Sequence, residues 1–312
     1  MTTRALTCAR GLVAGAAILS AFTFNTTAKA AEAGATITPF GVADFGAGML
    51  PPATPFGTIG IRTAYYTADV LKDGAGHRIN TDFDVDVKTI GLAYIKMTEA
   101  ELFNASVGFG AIIPFMEIDG DITVPTPGGP LALSSEDVAL GDIQIMPLML
   151  QWNAPPNWFV NASLQIQAPT GAYDVNETFN VGANHWAIAP ILGVTYLSES
   201  GLEFSSRIEL NFNTENPDTD YTSGIEYKHE FAVGKHFGSW TGGIGGYFYQ
   251  QLSDDEGPNV VDGNRGRVLA VGPAVSFFQP GLPLVSLHAY KEFGAENRAE
   301  GVNMALRVGM AF

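Results

Sequence analysis

The sequence predicts an all-β fold, a transmembrane antiparallel up-and-down β-barrel of about twelve strands. The first observation is the final stretch, where Val302, Met304, Leu306, Val308, Met310 and Phe312 alternate with Asn303, Ala305, Arg307, Gly309 and Ala311. Successive side chains of a strand point to opposite faces, so one wall is apolar and the other small or polar, as lipid outside and water inside require. The second is composition. The chain is 46% hydrophobic and 15% charged with 36 glycines, yet no run of eighteen apolar residues follows the first thirty. Such a chain enters a membrane only as a closed sheet, because lipid leaves open backbone groups unsatisfied. The third is a series of about twelve period-two segments separated by Gly, Pro, Asn and Asp clusters.

The amino terminus reads as a removable signal peptide over residues 1–30. Arg4 and Arg10 precede an apolar run from Leu12 to Phe24, and Ala28-Lys29-Ala30 forms a small-x-small cleavage site. The run is too short to span a bilayer as a helix. Cys8 precedes that run, whereas a lipid-bearing cysteine would follow it, and the mature chain has no cysteine. All 32 acidic residues but only thirteen of the sixteen Lys and Arg lie after residue 30, a net charge of −19. Such a charge repels nucleic acid.

Residues 31–55 are rich in Gly, Pro and Ala and form no spanning strand. They read either as a flexible periplasmic lead or as a plug folded into the lumen, and Phe40, Val42, Phe45, Met49 and Leu50 give the segment more apolar character than a solvated linker needs. The barrel occupies 56–312. Its strands are expected at 57–68, 83–97, 102–117, 139–153, 157–168, 184–197, 201–213, 223–235, 239–252, 266–278, 283–292 and 302–312. With both ends in the periplasm, the connections near 72–82, 119–137 and 171–182 face outward, while 279–283 could lie at either end. Pro114, Pro147, Pro190 and Pro273 fall inside strands and predict local bulges, where a side exit toward lipid could open.

Two segments have the clearest register. In one, Leu202, Phe204, Ser206, Ile208, Leu210 and Phe212 face lipid while Glu203, Arg207 and Glu209 face inward; in the next, Glu226, Lys228 and Glu230 face inward. The second strand is expected to add Asp84, Asp86, Lys88 and Lys96 to the lumen. These charges are the candidate ligand- or pore-lining residues, either paired across neighbouring strands or lining a hydrated conduit that disfavours anions. Phe109, Ile112, Pro114, Met146, Leu148, Leu150, Leu269 and Val271 lie where both faces are apolar, and any that face inward make a greasy lane beside the polar ladder.

Several strings resemble a known family: Asp44-Phe45-Gly46-Ala47-Gly48 with Pro51-Pro52, Leu140-Gly141-Asp142 leading to Pro147-Leu148 and Trp152, Ala168-Pro169-Thr170-Gly171-Ala172-Tyr173, Asn180 to Trp186, and Thr219 to Gly224. The resemblance is to outer-membrane barrels first associated with the meta-pathway of phenol degradation, regarded as transporters of hydrophobic or aromatic compounds. It covers most of the mature chain and implies a barrel and a transport role, without catalytic or ligand residues to carry over.

Catalysis finds little support. There is no G-x-S-x-G string, and His77, His185, His229, His236 and His288 show no metal spacing. The best-placed is His288, inward with Ser286, Tyr290 and Glu292. No cofactor is expected. Acidic clusters at Asp119 to Asp121, Asp218 to Asp220 and Asp254 to Glu256 read as solvated loops, with cation-bridged lipopolysaccharide as the alternative. The sequence thus points to a bacterial outer-membrane channel for passive uptake of small hydrophobic or aromatic compounds. The alternatives are a structural or surface-interaction barrel with a filled lumen and, behind it, a lipid hydrolase. Expected partners are membrane lipid and lipopolysaccharide, a small hydrophobic solute, and the barrel-assembly machinery, engaged through the strand ending at Phe312.

Overall fold

The computed structural model describes residues 39–152, 155–258, 260 and 262–312, so the predicted leader and residues 31–38 lie outside the described residues. The strands are β1 (Thr58–Leu71), β2 (Phe83–Leu102), β3 (Ala105–Thr126), β4 (Gly129–Leu140), β5 (Gln144–Trp152), β6 (Trp158–Gln167) and β7 (Ala187–Leu197). They continue as β8 (Leu202–Asn213), β9 (Glu226–Phe237), β10 (Trp240–Gln251), β11 (Arg267–Phe277), β12 (Leu284–Glu296) and β13 (Ala299–Ala311). All pairings are antiparallel. β13 returns to β1 and β2 pairs with β3, which closes the ring and leaves no open edge within it.

β4 stands outside the ring. β3 is long enough to pair with β5 through Ala105–Ile112 and with β4 through Phe115–Thr126, so β3 and β4 form an arm rising above the barrel. Twelve strands therefore close the barrel, at the positions the periodicity indicates. The arm replaces the loop expected at 119–137. Its outer row carries Glu117, Asp119, Asp121 and Glu136, and alternation with charge in place of apolar residues reads as a solvated connection.

Side-chain direction follows from register. Exposed apolar residues such as Ile61, Leu92, Phe204, Ile244, Leu287 and Leu306 form the outer belt. Trp158 packs on Tyr196 at 4.9 Å and Trp240 on Phe277 at 5.0 Å, forming an aromatic girdle at one end. That end holds the short turns. Phe103 and Asn104 both adopt positive φ (53° and 60°), as a two-residue hairpin matched to strand twist requires. The connection at 279–283 also lies there, and the seam closes as Phe56 N–H donates to Phe312 O (3.1 Å) and Phe312 N–H to Gly57 O (2.9 Å).

Only one of the four prolines produces the predicted bulge. The β5–β6 register shifts between Ile145 and Leu148, around Pro147. Pro190 and Pro273 leave gaps in their ladders while the register on either side stays the same. Pro114 sits where β3 exchanges β5 for β4 as its partner. A missing N–H is tolerated where no ladder bond has to form.

Candidate functional site

One half of the inner wall is polar and filled. β8 and β9 set Arg207 opposite Glu230 and Glu209 opposite Lys228. Arg207 reaches Glu209 at 2.7 Å and Glu230 at 3.1 Å, and Lys228 meets Glu209 at 3.2 Å. Glu226 accepts from the Tyr249 hydroxyl (2.6 Å) and Asn211 (3.2 Å), while Glu203 accepts from Ser205 (2.7 Å) and meets His236 at 2.6 Å. Glu203, Arg207, Glu209, Glu226, Lys228 and Glu230 are thus brought together inside the barrel. They do not line open water: Glu203, Glu209, Lys228 and Glu230 are fully buried. Buried charge of this kind persists only when each group is paired.

Part of what buries them is the amino-terminal segment. Val42 and Ala43 donate their N–H groups to Glu230 (2.9 and 3.1 Å), Gly46 to Glu203 (2.7 Å), Gly48 to Thr195 Oγ1 (2.9 Å) and Leu50 to Gln151 Oε1 (2.7 Å). From the opposite wall, Arg62 of β1 donates to the carbonyls of Phe40 and Gly41 (2.9 and 3.2 Å), and Arg307 of β13 to that of Val42 (3.1 Å). An irregular chain inside a barrel must satisfy its backbone groups. Here carboxylates, Thr195 and Gln151 take the donors, and arginines with Asn161 and Asn303 take the acceptors. Asp44 adds a side-chain anchor, bonding His288 Nδ1 (3.2 Å) and the Tyr290 hydroxyl. Gly41 (φ +70°) is required at this crossing, since a Cβ there would lie 2.7 Å from His288 Nε2.

The other half is apolar. Met97, Met146 and Met149 pack with Leu50, Ile95 and Ile112 toward the short-turn end. At the opposite end Ala68, Val85, Ile118 and Val181 cluster with Phe83 and Phe179. Between them the inward positions Thr89, Gly91, Ala93, Ile112, Pro114 and Met116 stay half-buried, in contrast to the sealed inward row of β9. Free lumen space therefore borders β2 and β3. Ile112 and Pro114 face it, while Met146 also points inward but is buried in the methionine cluster. Phe109, Leu269 and Val271 belong to the outward rows, and Leu148 and Leu150 pair there with Leu164 and Ala162.

The connection 168–186 covers the mouth of this lane. Asp142 holds it, accepting from the N–H of Thr170 (2.9 Å) and Gly171 (2.8 Å) on one oxygen and from Ala183 N–H (2.8 Å) and Gln167 Nε2 (3.1 Å) on the other. Phe179 lies flat over Gly120, where a Cβ would come within 2.7 Å of its ring.

Asp84, Asp86 and Lys88 do not face the lumen, which corrects the expectation from sequence. β2 runs without a register shift from Phe83 to Met97, so they share the outward row of Ile90, Leu92 and Tyr94. They sit above the apolar belt, where Asp86 accepts from Tyr65 (2.8 Å) and Lys88 pairs with Glu117 (2.6 Å). Lys96 is on the same row near the other end and donates to the carbonyls of Thr54 and Pro55. Charge there signals water beyond the bilayer.

Of the histidines, His288 does face inward, but Asp44 and Asn303 occupy its two nitrogens. His229 lies on the lipid face, 2.9 Å from Ser206 Oγ, and among the described residues no carboxylate meets its ring. No three His, Cys, Asp or Glu side chains among the described residues assemble as metal ligands. Sequence reasoning counted Phe40 only toward the apolar character of the segment and assigned no role to Asp44, Arg62, Asp142 or Arg298. Two signals were present, since Asp44 and Asp142 each stand in a string shared with the family.

A closed twelve-stranded antiparallel barrel with an apolar belt defines a β-barrel of the bacterial outer membrane. A family model described as "Putative MetA-pathway of phenol degradation" matches residues 68–308, and the chain belongs to that family. The fold is similar to the crystal structure of an outer membrane channel from Pseudomonas putida F1, with a TM-score of 0.71 at 15% identity over 85% of this chain and 100% of that one. It is also similar to the transport unit of the autotransporter AIDA-I from Escherichia coli, with a TM-score of 0.53 at 9% identity over 82% of this chain and 90% of that one. No curated protein matches the chain in sequence.

Proposed function

We propose that this barrel is a passive channel for small hydrophobic or aromatic solutes, with residues 39–55 acting as a plug. The observation that carries this reading is the division of the inner wall: the segment seals the polar half, and the remaining space borders the apolar inward rows of β2 and β3. A half-buried lane of Gly, Ala, Ile, Pro and Met, with the Thr89 hydroxyl as its polar group, offers a small apolar molecule desolvation at little polar cost. Ions gain nothing there.

The test is planar-bilayer conductance of the refolded mature protein beside a variant lacking residues 31–55, both checked for heat-modifiable migration as folded barrels. Channel function with a plug predicts little conductance in the full chain and steady conductance after the deletion. A second reading, a structural barrel with a filled lumen, draws on the buried ion pairs of Arg207, Glu209, Lys228 and Glu230. It predicts silence in both, together with no protein-dependent uptake of an aromatic probe by cells.

A further inference from the structure

Phe40 fills a place shaped for an aromatic ring. Its ring stacks on Tyr247 at 4.6 Å with the planes 10° apart, and meets Tyr249 edge-on at 5.4 Å. Lys228 Nζ lies 5.9 Å from the ring centre and the Arg298 guanidinium 4.9 Å from it, so two cations flank one ring. Arg298 also lies 4.6 Å from the Tyr249 ring. Cations over aromatic faces are attracted by the ring quadrupole.

The box is incomplete in one respect. Arg298 Nε and Nη1 are buried and donate no hydrogen bond. The nearby acids are already engaged: Glu292 accepts from Tyr66 (2.9 Å), Tyr247 (2.7 Å) and Gly301 N–H (2.7 Å), and Glu226 from Tyr249 and Asn211. A buried donor without an acceptor is unfavourable, more so on a charged group. Phe40 supplies a ring and no acceptor. A ring carrying a hydroxyl or carbonyl oxygen would supply both. An anion would meet the carboxylates of Glu209, Glu226, Glu230 and Glu292, so an uncharged solute suits the site better.

We propose that Tyr247, Tyr249, Lys228 and Arg298 form a binding site for one aromatic ring of an uncharged solute bearing a hydrogen-bond acceptor. Phe40 occupies that site as an internal stand-in. The solute competes with Phe40 for the box, and its binding releases the start of the segment, which Arg62 and Asn303 otherwise hold through the Phe40 carbonyl. The inference rests on the transport reading only in calling the ring a solute.

The experiment is a fluorine NMR titration of 4-fluorophenol, with 4-fluorotoluene as the probe lacking an acceptor, against the folded mature protein in detergent. The variants are Phe40→Ala, Phe40→Ala with Arg298→Gln, and Phe45→Ala. Phe45 is a buried ring of the same segment and cluster, packed on Gly234 toward the opposite end of β9 from Lys228. Removing the competitor is expected to tighten 4-fluorophenol binding by about tenfold or more, because apparent affinity scales with the fraction of empty sites. Arg298→Gln is expected to abolish that gain for 4-fluorophenol and leave 4-fluorotoluene unchanged. An equal gain in Phe45→Ala would mean simple cavity filling and would overturn the proposal, as would no gain in Phe40→Ala. Those two single variants decide the matter even where the arginine substitution prevents folding. Because the readout is binding, a failed site is distinguishable from a failed channel, which conductance reports.

Discussion

Asp142 ties together three strings that stand apart in the sequence, Leu140 to Asp142, Ala168 to Tyr173 and Asn180 to Trp186. Its carboxylate accepts three backbone N–H groups from the 168–186 connection, and each buried donor left unsatisfied costs roughly 1–3 kcal/mol. Water at the mouth recovers part of that, so Asp142→Ala is expected to lower the local stability of the connection by about 3 kcal/mol. Hydrogen exchange should quicken at Thr170, Gly171 and Ala183 while β8 and β9 keep their protection. Equal exchange in both proteins would remove Asp142 from this role. Asp142→Asn retains one carbonyl acceptor and should fall between. Glu230 carries a heavier load, accepting from Val42, Ala43 and Arg207. Glu230→Ala strands two N–H groups and leaves Arg207 with Glu209 alone, and breaking a buried pair typically costs about 3–5 kcal/mol. Release of the segment should expose Phe40 and Phe45 to chymotrypsin in a barrel that still migrates as folded. Unchanged resistance would show that Asp44 and the arginines hold the segment without it.

At the scale of the strand, the outer belt sets what can be substituted. Leu306 is exposed on β13 beside Leu287 of β12 and Thr63 of β1. Leu306→Arg is expected to destabilise the barrel by roughly 2–4 kcal/mol if it lies at the bilayer midplane. Urea unfolding in lipid vesicles measures this; a change below about 1 kcal/mol would place Leu306 near an interface, where water reaches the guanidinium and the substitution costs little. The period-two pattern made this face legible from sequence, because lipid and lumen impose opposite chemistries on alternate residues. In β8 and β9 the charged row opposes an apolar row along the whole strand, and both rows are read correctly. In β2 the same logic misplaced Asp84, Asp86 and Lys88. That strand continues past the hydrocarbon, where outward charge is as comfortable as inward charge. The row itself was present in the alternation with Ile90, Leu92 and Tyr94. Contacts of Phe40 with Tyr247, or of Asp44 with His288, were not legible, since they join positions about two hundred residues apart and leave no local period.

For the whole molecule, the balance of inward charge decides what an opened lumen would pass. Over its described residues the segment brings one acid of its own, Asp44, and covers Glu203 and Glu230. Its removal uncovers those carboxylates together with Arg62 and Arg307, so acids and bases are nearly matched along the middle of the barrel. The mouth is different. Asp218, Asp220, Asp254, Asp255 and Glu256 stand in the long connections at that end, with Arg265 paired to Asp254 at 2.9 Å. A matched interior behind an acidic mouth should pass cations slightly in preference to anions. Because the mouth charges other than the buried Asp255 lie in solvated loops, the preference should weaken as salt rises and the screening length falls from about 10 Å at 0.1 M to about 3 Å at 1 M. The measurement is the reversal potential of the variant lacking residues 31–55 in a potassium chloride gradient, taken at low and at high mean concentration. A cation preference that persists unchanged at about 1 M would locate the selectivity filter among the buried carboxylates instead, where salt screens poorly. An anion preference would mean that Arg62, Arg307 and Arg298 dominate the opened lumen, and the acidic mouth would then have no part in selection.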